Sequence, residues 1–128
     1  MAQFEIFGMD QLINQMQMEA ERIERNGPAA AVAGAEVAIR AMEQTVPVRT
    51  GGLKGHIRMK GPHHNLADGH YCDVFPQGKN KHGERYATIG FVLEHGRSNM
   101  LPRPWMRPAV EKNIDAIGEA VCDVLMRD

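Results

Sequence analysis

The sequence predicts an α+β domain, with about four helices packed on a small, mainly antiparallel sheet and one long basic hairpin. Three observations predict it. Apolar residues recur every three or four positions on both sides of Asn26-Gly27-Pro28 and again after Pro104, which is the helical period. In the middle of the chain, Ile57 and Met59 alternate with Arg58 and Lys60, and His70, Cys72 and Val74 with Tyr71, Asp73 and Phe75, which is the strand period. Glycines and prolines separate the two regimes. A length of 128 residues suits a single domain over residues 1–128 with one real core.

In chain order, Phe4-Glu5-Ile6-Phe7 reads as a short strand ended by Gly8. Asp10 then serves as N-cap or first-turn acid for a helix over 9–25, whose apolar positions are Leu12, Met16, Ala20 and Ile23. Asn26-Gly27-Pro28 breaks or sharply kinks that helix, since proline cannot donate to the preceding turn. A second helix follows over 29–45. It turns Val32, Ala35, Ile39, Met42 and Val46 inward and Glu36, Arg40 and Glu43 to water, and its alanines allow a neighbour to approach closely. Pro47 ends it.

Thr50 can cap a single helical turn that carries Leu53 inward. Strands near Ile57–Lys60 and His70–Phe75 form a long hairpin, with a mobile tip placed at Gln77–Gly83. Tyr86, Ile89, Gly90 and Leu93 share one face of a helix over 86–95, and Gly96 stands where a left-handed cap residue belongs. Pro102 and Pro104 bar helix before Pro104, so Trp105 falls in the first turn of a terminal helix over 104–126, near Glu94-His95-Gly96. That helix carries the stripe Met106, Val110, Ile114, Ile117, Val121 and Val124.

The formal charge of −1 gives no global pull toward nucleic acid or anionic membrane. No apolar run reaches about 18 residues, so no membrane span is expected, and MAQFEIFG carries acid rather than base, unlike a signal peptide. Cys72 and Cys122 have no metal spacing and read as free thiols. Nine methionines against seven aromatics hint at adaptable contact surfaces. Charge is concentrated: residues 54–85 carry Lys54, Arg58, Lys60, Lys79, Lys81 and Arg85 against Asp68, Asp73 and Glu84, with five of the six histidines.

Each chemical reading meets a plainer one. His63, His64, His70 and Cys72 offer borderline-soft ligands. Adjacent strand histidines point to opposite faces, however, and no His-Glu-x-x-His or Cys-x-x-Cys is present, so a solvated loop accounts for them better. Glu94 and His95 diverge by about 100° on a helix and make no acid–base pair. Glu94 reads instead as an acceptor for Arg97, Arg103 or nearby backbone N–H groups. We therefore expect no catalytic, cofactor-binding or metal residue. The basic segment 54–85 could meet phosphates electrostatically, without sequence readout; a solvated surface is the alternative. Trp105, between two prolines and beside Arg103 and Arg107, suits either a core or a subunit contact.

Three motifs together resemble the gene-product-ten-like phage morphogenesis family of tail components. They are Pro47-Val48-Arg49-Thr50-Gly51 with Leu53 and Ile57, then Tyr86 with Glu94 and Gly96, then Pro104-Trp105-Met106-Arg107-Pro108-Ala109. Phe7-Gly8-Met9-Asp10-Gln11-Leu12 is similar to the family's opening. Three departures stand out: His56 for the usual serine, Arg97 for a common threonine, and Trp105 for phenylalanine. The resemblance implies an α+β fold, no catalytic residues, and a structural role in tail completion or head–tail joining. It implies self-association into a ring such as a hexamer, contacts with tail-tube and head-connector proteins, and no membrane. The chain would act in the host cytoplasm during assembly and in the neck of the virion. Lys54, Arg58, Lys60, Lys79 and Lys81 are the candidate interface, facing an acidic neighbour or DNA in the lumen; a nucleic-acid-binding accessory protein is the alternative.

Overall fold

The computed structural model describes residues 2–48, 52–67 and 69–128, with side chains from residue 8 onward. The chain runs α1 (Ala2–Thr45), α2 (Gly52–Gly55), β1 (Ile57–Asn65), β2 (Gly69–Pro76), α3 (Tyr86–His95), α4 (Met106–Lys112) and α5 (Ile114–Leu125). The fold is α+β, as expected: five helices around one two-stranded antiparallel sheet among the described residues.

The spine is α1, 44 residues long with Pro28 inside it. This overturns three expectations. Phe4–Phe7 is helix, not strand; Asp10 lies inside the helix, not at its start; and Asn26-Gly27-Pro28 does not divide it. An interior proline costs a helix about 3 kcal/mol, and tertiary contacts around the triplet oppose that cost. The Asn26 amide donates to the carbonyls of Leu125, at 3.0 Å, and Arg127 at the end of α5. Gly27 is buried, and a Cβ there would collide with the His70 ring of β2. The glycine is a notch for the hairpin rather than a break.

From Arg22 onward α1 is held on two sides. Helix α5 runs antiparallel to it, with Ile117 and Val121 over Gly34 and an Arg22–Asp128 ion pair of 3.2 Å at the far end. The hairpin lies along another face. The core gathers at the carboxyl end of α1, where Ala41, Met42, Val46, Leu53, Ile57, Trp105 and Ala109 are buried together. Toward the amino end the helix is bare: every residue from Gly8 to Glu21 is exposed. At 1.5 Å per residue, residues 2–21 form an arm about 30 Å long.

The hairpin pairs Ile57 with Pro76 through Asn65 with Gly69, irregular between Lys60 and His63. Its tip is therefore at residues 66–68, with Asp68 outside the described residues, and not at Gln77–Gly83. That later segment is a separate loop folded on Asn80, whose side-chain oxygen accepts from the backbone N–H groups of His82 at 2.9 Å and Glu84 at 3.0 Å. Glycines at 78 and 83 misdirected the placement, because turn residues mark a reversal without saying which strands it joins.

As expected, α2 is one turn that buries Leu53; Thr50, its proposed cap, and Gly51 lie outside the described residues. Helix α3 has the expected bounds. The terminal helix begins at Met106 rather than Pro104, with Trp105 as N-cap and Pro108 in the first turn, where its missing N–H costs nothing. It breaks at Asn113, whose side chain donates to Ala109 O at 2.9 Å. The break shifts the stripe and leaves Ile114 exposed. Cys72 is half-buried and Cys122 exposed, both free thiols. Among the described residues no helix is long and apolar enough to cross a membrane.

Candidate functional site

Described residues from each of the three motifs meet in a single joint built around Trp105: Leu53 and Ile57, Tyr86 and Glu94, and Trp105 itself with Ala109. Its side chain is 0 % exposed, and its indole N–H donates to Gly90 O at 3.1 Å. A Cβ at Gly90 would be tight, 3.0 Å from Trp105 Cζ2 and 3.1 Å from Pro76 Cγ, so the indole or the proline would have to give way. Thr45, on the last turn of α1, donates its hydroxyl to Trp105 O at 2.7 Å. The ring thus ties α1, α3 and the end of β2 together.

Glu94 closes the joint from α3. Its Oε2 accepts from the N–H groups of Trp105 at 2.6 Å and Met106 at 2.9 Å, and its Oε1 from Arg107 at 3.1 Å. Those N–H groups open α4 and have no partner within it, so a carboxylate from another helix caps it. Of the acceptor roles open to Glu94 in the sequence, the backbone one holds. Partial burial pushes its pKa upward, but the N–H groups of Met106, Trp105 and Arg107, with His95 nearby, outweigh burial and hold it below the ordinary carboxylate value.

A carboxylate with a depressed folded pKa contributes stability above its unfolded pKa, about 4.3 for Glu. That contribution is lost as pH falls through the folded value. Glu94→Gln is therefore expected to cost about 1–2 kcal/mol at neutral pH, with the gap to wild type closing in acid below about pH 4. Urea unfolding of both proteins across that range checks it; a gap that does not narrow would remove the charge from the account.

Around the joint, Tyr86 and Leu93 pack against the core, and Gly96 donates its N–H to Val92 O at 2.7 Å. Its φ of +74° is positive as expected, but its ψ of −175° is extended rather than the left-handed helical value a cap residue takes. His56 stacks on Tyr86 with centroids 4.3 Å apart. Its Nδ1 lies 2.6 Å from Gly52 O, so that nitrogen carries the proton. Pro47 lines a groove of about 940 Å³ beside Leu53 and Tyr86. Pro104 is exposed outside the joint, and Pro108 is half-buried in α4.

The five candidate interface cations are all exposed. The fold separates them. Lys54 and Lys81 line the same groove, where Arg103 joins them and Glu84 is the one acid among the described lining residues. Arg58 and Lys60 alternate with the inward residues of β1 and face solvent, while Lys79 bridges to Arg85.

The second surface was missed as a surface. Along the arm Leu12 is 51 % and Met16 63 % exposed, and the same stripe continues to Ile23 at the arm's base, 48 % exposed. Their period was legible; that nothing in the same chain covers them was not, because an apolar stripe looks the same whether its partner is its own core or another molecule. Comparison with protein-family models, curated proteins and solved structures finds no match to this chain.

Proposed function

We propose that this chain is a structural subunit of the tail-completion or head–tail joining type, assembling as a ring at the head-proximal end of a phage or prophage tail. The observation that carries the reading is the bare apolar arm of α1. Leu12 and Met16 lie on one side of the helix where no other described residue buries them, and Ile23 continues the stripe to the arm's base. Leaving such a stripe in water forgoes about 25 cal/mol per Å² of apolar surface, and a neighbouring copy recovers it. In a ring each copy uses two different patches, one giving and one receiving; the arm suits the giving patch.

The motif resemblance supplies the setting, and the joint supports it: Trp105, Thr45, Gly90 and Glu94 link α1, α3 and the start of α4. On this reading the chain works in the host cytoplasm during assembly and then in the virion neck. Its partners are itself, a connector and a tail tube. The groove holding Lys54, Lys81 and Arg103 would receive an acidic surface. DNA-binding accessory action is the second reading, favoured by the same exposed cations.

Leu12→Glu with Met16→Glu is expected to change monomer stability by no more than about ±0.5 kcal/mol, as exposed substitutions do, and to abolish both ring formation and the rescue of joined, infectious particles. Lys79→Glu with Lys81→Glu should be equally silent in melting and should weaken docking. Light scattering, melting and complementation without wild-type protein read these out. Full rescue by the arm variant, or normal particles after deletion of the gene, would overturn the reading. Tight, salt-sensitive DNA binding by a monomer would favour the second.

A further inference from the structure

His64 and His70 are direct cross-strand partners beside the hairpin tip, so both rings leave the ladder on one face. Their centroids are 4.5 Å apart. Helix α1 crosses that face, and the notch at Gly27 admits the His70 ring. One turn earlier Glu24 places Oε1 3.4 Å from His70 Nε2. That nitrogen is shut off from solvent and makes no hydrogen bond among the described residues. The Glu24 carboxylate is close, but it makes no hydrogen bond to this nitrogen. A buried imidazole nitrogen without a partner is unfavourable and needs explaining. One ligand atom from each of Glu24, His64 and His70 lies within 4.8 Å of the other two.

We infer that Glu24, His64 and His70 form a binding site for a borderline divalent cation of the Zn²⁺ class. Two imidazoles and a carboxylate are the donors such an ion prefers over magnesium or calcium. Ligands about 2.1 Å from a tetrahedral ion stand about 3.4 Å apart, the separation already present between His70 and Glu24. His64 and Glu24 are exposed and free to close the rest. Three protein ligands leave a fourth position for water or for a donor from another molecule. The ion satisfies His70 Nε2 and staples the hairpin to α1 beside Pro28, where the helix lacks a backbone hydrogen bond of its own. His63 is excluded: its ring lies 5.4 Å from Tyr71 instead.

The test uses the full chain without an affinity tag, stripped with EDTA and titrated calorimetrically with ZnCl₂ at neutral pH; Co²⁺ serves as the absorbance probe. The expected result is one ion per chain, a raised Tm with Zn²⁺, and tetrahedral cobalt bands. His64→Ala and Glu24→Gln, both at exposed positions, should each weaken binding about 10–100-fold or more, while His63→Ala and His82→Ala leave it unchanged. Absence of saturable binding, or affinity untouched by both His64→Ala and Glu24→Gln, overturns the site.

Discussion

Trp105→Ala is expected to lower stability by about 3–5 kcal/mol, the usual cost of emptying a buried tryptophan site. That is a large share of the 5–15 kcal/mol or so that holds a domain together. The ring is wholly buried among Met42, Val46, Leu53 and Ile57, and its loss also strands the Gly90 carbonyl that accepts its N–H at 3.1 Å. Because α1, α3 and α4 meet at this one residue, the loss should be felt by the whole fold rather than by one element. Trp105→Phe separates the contributions. It keeps most of the apolar contact and removes only the donor, so about 1–3 kcal/mol is expected. Urea unfolding measures both, and a loss below about 1 kcal/mol for the alanine variant would contradict the burial argument.

Gly96→Val should be nearly as damaging, at about 2–5 kcal/mol. Roughly 1–2 kcal/mol comes from forcing a side chain into positive φ, and about 1–3 more from overpacking. At φ +74° a Cβ would lie 2.7 Å from Met100 O and 2.8 Å from Pro102 N. Both are backbone atoms, held in place by the tight turn in which Arg97 and Met100 exchange hydrogen bonds of 3.0 Å and by the return of Arg103 N–H to Leu93 O at 2.7 Å. Since the Cβ itself is the offence, Gly96→Ala should lose almost as much as valine. An alanine variant within about 0.5 kcal/mol of wild type would show that this corner yields, and that the glycine is there for another reason.

The corner was legible because its signals are local. Tyr86, Ile89, Gly90 and Leu93 set the face of α3, and Gly96 its end, within a dozen residues of chain. The antiparallel hairpin and the burial of Leu53 were legible for the same reason, since period and punctuation act over a turn or a strand. The arm was half legible: its stripe was read, but its extent was not. Glu94 as the cap of α4 was legible only as one of several acceptor roles, because the N–H groups it serves belong to a different helix. The pairing of His64 with His70 hangs on the strand register. A tip at residues 66–68 was the signal that would have revealed it; Glu24 left no signal, lying on another element far back in the chain.

By itself, then, the sequence determined the class of the domain, the bounds of α3, the positive φ of Gly96 and the exposure of the basic side chains. Each depends on what a residue can do with its nearest neighbours. Tertiary structure alone decided that residues 2–45 form one helix. Local propensity puts a break at Pro28, and it is overruled by Asn26 reaching α5 and by the His70 ring filling the space beside Gly27. The penalty of an interior proline is about 3 kcal/mol, small enough for packing on two faces to exceed and invisible to any window of sequence that holds only the helix.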